Sequence, residues 1–285
     1  MMRMNIDFTP DPLLNRAPDE TRPPPAEMRE SAAPANGEAS GENGEDRAAA
    51  DGNGPFRPDP LVLRDNLVVG FAHASELAHP FLVLRSQLLK HVKASDMRVF
   101  AVTSVQPGNG KTHVAVNLAA AMSRLHPTVL VELDLRRPSI GGRLGIDARR
   151  PGIDDVLGGE IPLSDAGMPV ADFGLTVHHV REHRHNAEDL LTSPHLAGLI
   201  AQARSAPGDP VIIVDTPPAL VHDDLMLIAR VIDGVLMVVE EGRTPRRALK
   251  DVIGALSPTP VVGAILNKSI SSPSPASYYD YSPYR

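Results

Sequence analysis

The chain has 285 residues, a formal net charge of -7 and no cysteine, which allows one large α/β domain with a sizeable core and excludes disulfides and thiolate metal sites. Residues 1–55 carry 11 acidic and 5 basic side chains against 24 and 23 in the other 230, so most of the chain is nearly neutral and offers no footprint for nucleic acid. No basic-then-apolar leader opens it and no apolar run approaches the roughly 18 residues of a membrane span, which reads as a cytosolic protein.

In chain order, residues 1–60 read as an acidic, Pro-rich disordered segment, because Pro, Gly, Ala, Asn and Ser dominate it and apolar patterning is sparse. Leu61 to Val69 is a short apolar stretch. Leu77, Phe81, Leu84 and Leu88 then fall at helical spacing and predict a helix over about Pro80 to Val92. Val99 to Val102, Val129 to Leu133, Val211 to Val214, Val235 to Val239 and Val261 to Leu266 are near-continuous β-branched runs separated by amphipathic ones. Runs that are apolar at every position mark strands covered on both faces, so the expected fold class is α/β, a mostly parallel sheet with helices on both faces. In such sheets ligands bind at the carboxyl ends of the strands. Leu175 to Val177 reads as a weaker strand. Ser193 followed by Pro194 reads as a cap and first turn of a helix ending near Arg204.

The chemistry concentrates in VFAVTSVQPGNGKT, Val99 to Thr112, which reads as a strand, a glycine-rich bend and a helix start. Gly108 and Gly110 let backbone N–H groups turn inward around a phosphate, Lys111 is placed to reach its oxygens, and Thr112 carries a hydroxyl for Mg²⁺. The helix that begins there adds its positive dipole end. Val105 stands where the common G-x-x-x-x-G-K-[ST] pattern has its first glycine, so the pattern is incomplete. Val114, Leu118, Met122 and Leu125 then recur at helical spacing and support it.

Carboxylates follow at two strand ends. Glu132 and Asp134 in VELDLRRP project from one face of their strand about 7 Å apart, one suited to a Mg²⁺ shell and the other to accepting a proton. The same pattern also fits a solvated strand end. Asp215 follows Val211 to Val214 and precedes Thr216-Pro217-Pro218, placing a third carboxylate for a water-mediated Mg²⁺ contact. Arg136 and Arg137 read equally as phosphate contacts or as partners of carboxylates. Arg243, Arg246 and Arg247 read as a solvated helix start. Asp172-Phe173-Gly174 lacks the other kinase motifs that give this tripeptide meaning, and His178, His179, His183 and His185 read as a polar loop more readily than as a metal site.

Taken together, PGNGKT, VELDLRRP, VIIVDTPP and a terminal tyrosine cluster resemble the bacterial tyrosine kinases of capsule and exopolysaccharide synthesis. NAEDLLTSP, GAILNKS and IDDVLGGE are similar to lesser segments of that family. The resemblance covers about Pro80 to Arg285. It implies a P-loop NTPase fold over residues 61–270, related to the partitioning and division-site ATPases, binding of ATP with Mg²⁺, and transfer of phosphate in trans to its own tail within a homo-oligomer. Lys111, Glu132, Asp134 and Asp215 become the expected catalytic residues. Gly108, Asn109, Gly110, Lys111, Thr112 and Asn267 become the expected nucleotide contacts, with Thr112, Asp134 and Asp215 at the metal. A membrane-anchored chain-length or export protein becomes the expected activator, holding this chain at the inner membrane.

Two departures stand out. Glu132 occupies the place of an aspartate that serves as the family's proposed base, and the extra methylene moves the carboxylate by roughly 1 Å, a shift that can cost roughly a hundredfold in rate. The family's Glu-x-x-Arg-x-x-Arg motif for subunit contacts is reduced to His79, Leu82 and Arg85. Alternative readings are a non-kinase ATPase of the partitioning type, against which Gln106 stands where a signature lysine would be, and a nucleotide-binding scaffold with weakened phosphotransfer.

All four tyrosines, Tyr278, Tyr279, Tyr281 and Tyr284, fall in residues 278–284 after a Ser/Pro-rich tether. Residues 271–285 are therefore expected to be a flexible tail presenting phosphate acceptors.

Overall fold

The computed structural model describes residues 5–7, 54–73 and 75–269. The four tyrosines and the expected tail lie outside the described residues, as does most of the acidic N-terminal segment.

Strands β1 (Asn5–Asp7), β2 (Val99–Ser104), β3 (Thr128–Glu132), β4 (Met168–Val170), β5 (Leu175–His178), β6 (Val211–Asp215), β7 (Gly234–Glu240) and β8 (Val261–Asn267) form one sheet in the order β1-β8-β7-β2-β6-β3-β5-β4. The six inner strands are parallel, and β1 and β4 pair antiparallel at the two edges. Every apolar run expected to be a strand is one. Two edge strands carry no such run. β4 is three residues long with Pro169 at its centre, tolerable because an edge strand needs only one side of its backbone paired. Its outer side is met by Phe56, which donates from N–H to the Pro169 carbonyl at 2.7 Å. Asn5–Asp7 and Phe56 both fall inside the stretch expected to be disordered. Main-chain pairing with a sheet edge satisfies their backbone groups without any apolar pattern.

Helices α1 (Pro60–Asp65), α2 (His79–Ser95), α3 (Lys111–Met122) and α4 (Ile140–Leu144) precede α5 (Ile153–Leu157), α6 (Leu163–Ala166), α7 (Ala187–Thr192), α8 (Pro194–Arg204), α9 (Asp224–Ile228) and α10 (Arg246–Ala255). The side chains of α2, α3 and α4 share one core with Phe100, Val102, Leu130 and Ile213, while those of α5 to α10 share the other with Ala101, Val129, Val131, Ile212 and Val214. Consecutive residues of β2, β3 and β6 thus point into opposite cores, as a sheet with two covered faces requires.

Helix α3 is buried on nearly every side, which suits its run of alanines and valines and makes it the inner helix of its layer. Val114, Leu118 and Met122 are fully buried, each contributing about 1.5–3 kcal/mol of transfer free energy. Leu125, expected to continue the stripe, lies past the helix end and is exposed, and Leu77 is exposed before α2. Ser193 holds the cap position of α8 with extended backbone, but its hydroxyl donates backwards to the Leu190 carbonyl at 2.8 Å instead of capping. Because the six inner strands run the same way, the ends of β2, β3, β6, β7 and β8 bring Ser104, Glu132, Asp215, Glu240 and Asn267 to one edge of the sheet.

Candidate active site

The bend from Val105 to Gly110 leaves β2 and enters α3 at that edge. Gly108 and Gly110 have φ of 83° and 93°, in the left-handed region where only glycine is unstrained. A Cβ on Gly110 would also stand 2.2 Å from Asn267 Nδ2, so no side chain fits there. Val105 is fully buried among the apolar residues beneath the bend.

A ring of side chains holds this bend from outside. Asn109 Oδ1 accepts from the Gln106 N–H at 3.2 Å and its Nδ2 donates to Glu240 Oε2 at 3.0 Å. Asn267 Nδ2 donates to the Asn109 carbonyl at 2.8 Å, and its Oδ1 accepts from the Lys268 N–H at 2.9 Å. Lys268 Nζ donates to the Gly108 carbonyl at 2.7 Å and to Glu240 at 3.3 Å. The side chains of Asn109 and Asn267, expected at the nucleotide, are therefore engaged in shaping the loop. Glu240 and Lys268 belong to no phosphate-loop pattern. Position at the carboxyl ends of inner strands was a signal for both, and Lys268 also falls in the GAILNKS segment. Burial opposes the Glu240 charge, but Asn109, Lys268 and Arg243 together hold its carboxyl below the ordinary range.

Inside the bend, Lys111 turns onto the carboxylates. Its Nζ donates to Asp134 Oδ2 at 2.7 Å and to Thr112 Oγ1 at 3.3 Å, and lies 3.8 Å from Asp215 Oδ1. Burial disfavours the ammonium, but Asp215, Asp134 and Glu132 outweigh it and raise its pKa. The other Asp134 oxygen accepts from the Arg137 N–H at 3.0 Å. Asp215 differs. It is fully buried and neither oxygen has a hydrogen-bond partner of good geometry. Its pKa is pushed up to about 6, chiefly by burial and further by Asp134, against the pull of Lys111, Thr112 and Arg143. Two orphaned, buried carboxylate oxygens beside a phosphate-loop threonine are a donor set that fits a hard divalent cation, so the residues present fit Mg²⁺ with a bound triphosphate.

Glu132 is brought to the same edge but is not free. Its Oε1 accepts from the N–H groups of Ser139 at 2.5 Å and Ile140 at 2.8 Å, and its Oε2 accepts from Val180 N–H at 2.9 Å. Burial pushes its pKa up to about 7 against those three donors, with the Asp215 charge acting in the same upward sense. Both oxygens of the expected general base are thus engaged by backbone donors. The longer side chain reaches past the site to tie the start of α4 to the end of β5.

The remaining expectations divide. Arg136 binds Asp224 through Nε at 2.7 Å and Nη2 at 3.2 Å, settling its open alternative in favour of a carboxylate. Phe81, Leu84 and Leu88 bury one face of α2, and Arg85 donates to the Ala121 carbonyl at 3.3 Å, so the remnant of the subunit motif serves packing on α3. Asp172-Phe173-Gly174 forms the turn between β4 and β5, where Asp172 pairs with Arg57 and Phe173 packs on Phe71. His178 and His179 are buried at the end of β5, not in a polar loop, while His183 and His185 pack edge to face. No group of three or more His, Cys, Asp or Glu side chains placed to hold a metal ion occurs among the described residues.

A parallel sheet carrying a glycine bend, an invaginated lysine and metal-suited carboxylates at its carboxyl edge defines a P-loop nucleotide-binding protein. No family model matches the sequence. It is similar to the succinoglycan biosynthesis transport protein ExoP of Rhizobium meliloti, 32% identical over 78% of this chain, and to the tyrosine-protein kinase wzc of Salmonella typhimurium, 30% identical over 70%. The chain spans 28% of the length of each of these two curated relatives. Among solved structures it matches the VpsO kinase domain with a TM-score of 0.59 and 30% identity, over 66% of this chain and 94% of that one. The chain belongs to the bacterial tyrosine-kinase family.

Proposed function

We propose that this chain is an ATP-dependent protein-tyrosine autokinase serving exopolysaccharide or capsule export, with Tyr278, Tyr279, Tyr281 and Tyr284 as acceptors on a second copy. The observation that carries the reading is the Lys111 and Asp215 pair. A buried carboxylate lacking hydrogen bonds beside the loop lysine suits a site completed by Mg²⁺ and a nucleotide triphosphate. Bound Mg²⁺ would neutralise developing charge on the phosphates. Thr112, Asp134 and Asp215 are the side chains to hold it, and the Gly108 to Thr112 backbone would cradle the phosphates. Lys111, now paired with Asp134 and Asp215, would turn to the terminal phosphoryl group. The overall change is conversion of ATP and a tyrosine phenol to ADP, phosphotyrosine and a proton.

On this reading a membrane-anchored chain-length or export protein activates the chain and holds it at the cytoplasmic face of the inner membrane, as a homo-oligomer. Each added phosphate brings about -1.5 to -2 charge, so several phosphates beside Asp280 would favour release of subunits. Among the described residues no helix is long and apolar enough to cross a membrane.

Glu132 favours a second reading, a nucleotide-binding scaffold with weakened phosphotransfer, since its place as base is taken up by three backbone donors. One experiment separates them. The purified chain, Lys111→Met and a variant lacking residues 271–285 are incubated with Mg·ATP, with and without the partner's cytoplasmic segment, and probed for phosphotyrosine. Phosphotyrosine in wild type alone supports the autokinase. Nucleotide binding without phosphotyrosine supports the scaffold, and phosphate release without phosphotyrosine supports a partitioning-type ATPase.

A further inference from the structure

A kinase whose expected base is tied to backbone amides needs another group to meet the acceptor, and the fold supplies one beside it. Glu132 is the register partner of Asp215 on β6, and on its other side Val131 pairs with His178, so the next rank places His179 beside Glu132. Asp215, Glu132 and His179 thus form a row across the ends of β6, β3 and β5. With strands about 4.8 Å apart, the backbones of Asp215 and His179 are separated by roughly 10 Å. The alternation along β3 and β5 sends Glu132 and His179 to the face that carries α3 and α4. The Cδ2 atom of His179 lies 3.4 Å from where a Cβ on Gly141 in α4 would stand.

Between the two elements is a cleft of about 160 Å³ walled by Pro138, Gly141, Gly142, Ile146, His179 and Arg181. A cavity of about 150 Å³ is known to take one benzene ring, so this volume suits a single aromatic side chain. Ser139 also lines it, and two of its polar groups are buried without hydrogen bonds. His179 is 2% exposed, and neither ring nitrogen has a hydrogen-bond partner. The Nε of Arg181 is likewise buried without a hydrogen-bond partner, although it lies 4.0 Å from Glu182 Oε1 and its Nη2 pairs with Asp155 at 2.8 Å. A buried imidazole with both nitrogens unsatisfied costs free energy unless a ligand meets it.

We propose that this cleft receives the phenol ring of the acceptor tyrosine and that a ring nitrogen of His179 accepts the phenolic hydrogen. The inference rests on the autokinase reading and deepens it. All four tyrosines of the chain lie in residues 278–284, and Asp280 among them is complementary to Arg181 at the cleft. In the transfer step the phenol oxygen bonds to the γ-phosphorus and the bond from that phosphorus to the β,γ-bridging oxygen breaks. ADP leaves with that electron pair, and the phenolic proton passes to the neutral His179 nitrogen. Burial lowers the His179 pKa, with Arg150 acting in the same sense and Asp154 and Asp155 against it, which keeps the ring unprotonated at neutral pH. Glu132 acts here as a positioning residue, since its three hydrogen bonds hold Ser139 and Ile140 on one wall and Val180 on the other.

The test uses the full chain and a labelled peptide of residues 271–285, with binding read by fluorescence anisotropy and transfer by phosphotyrosine. Gly141→Val fills the cleft against His179, and Gly142→Leu does so from a position with no atom within 4 Å of its Cβ, which guards against a folding failure in the first. Both should raise the peptide Kd and KM at least tenfold and leave the KM for ATP unchanged. His179→Phe should lower kcat by about 100-fold or more while peptide binding persists. Wild-type rates and peptide affinities in all three variants would overturn the cleft while leaving the autokinase intact. Peptide binding without phosphotyrosine in the wild type would overturn the autokinase reading and the transfer step with it.

Discussion

Glu132 and Asp215 stand opposite one another on β3 and β6, yet three backbone N–H groups occupy the first and none reaches the second. Two carboxylates at the same level of the same sheet edge therefore have different work. Glu132 fastens neighbouring segments together, and Asp215 keeps both buried oxygens without a hydrogen-bond partner.

The fastening has a measurable cost of removal. Glu132→Gln replaces one acceptor oxygen by an NH₂ group that faces a backbone donor, which should destabilise the fold by about 1–3 kcal/mol. Urea unfolding at pH 5.5, below the Glu132 pKa of about 7, measures it free of the opposing gain from removing a buried charge, which favours the variant as pH rises through 7. A stability equal to wild type would mean that the three hydrogen bonds are not formed in solution.

Asp215→Asn should act in the opposite direction and depend on pH. The folded-state pKa of about 6 lies above the ordinary 3.8, so the contribution of Asp215 to wild-type stability is complete below about 3.8 and is lost as pH rises through 6. In chelator and without nucleotide, the variant should gain on the wild type by about 2 kcal/mol between pH 4.5 and 7.5. Parallel stability profiles for the two proteins would contradict the burial of an ionising group at this position.

Lys111→Met removes the cation that offsets Asp134 and Asp215 at 2.7 and 3.8 Å. Beyond losing nucleotide binding, the variant should unfold at a lower temperature in chelator, by several degrees. Millimolar Mg²⁺ should recover part of that loss by binding the carboxylate pair left without its cation. Thermal scans with and without Mg²⁺ decide it, and a Tm unchanged by the metal would count against these carboxylates as its ligands.

The two loop glycines should respond unequally to alanine. At Gly108 the only nearby atom is Arg243 Nη1 at 3.8 Å, so the substitution meets backbone strain alone, about 1 kcal/mol. At Gly110 the same strain is joined by a Cβ placed 2.2 Å from Asn267 Nδ2, which breaks the bond from Asn267 to the Asn109 carbonyl. Gly110→Ala should therefore lose more stability than Gly108→Ala and bind nucleotide at least tenfold more weakly, as calorimetric titration would report.

What was legible beforehand follows from range. The inner strands are runs of Val, Ile and Leu because both of their faces are covered, and that pattern is local enough to read along the chain. The same is true of Gly108, Gly110, Lys111 and Thr112, whose roles follow from a bend and a helix start within a few residues of one another. The strands β1 and β4 were not legible, because an edge strand is stabilised by main-chain pairing and leaves little mark on composition.

The linear order of residues by itself determined that a glycine-rich bend would sit at the carboxyl edge of a parallel sheet with acidic side chains nearby. Only folding decided which acid is free. The donors that occupy Glu132 come from positions 7, 8 and 48 residues away, and Arg136 finds Asp224 88 residues along the chain. A hydrogen bond depends on direction and distance to within a few tenths of an ångström. That placement is set by how β3, α4 and β5 pack together, a relation no local pattern of residues encodes.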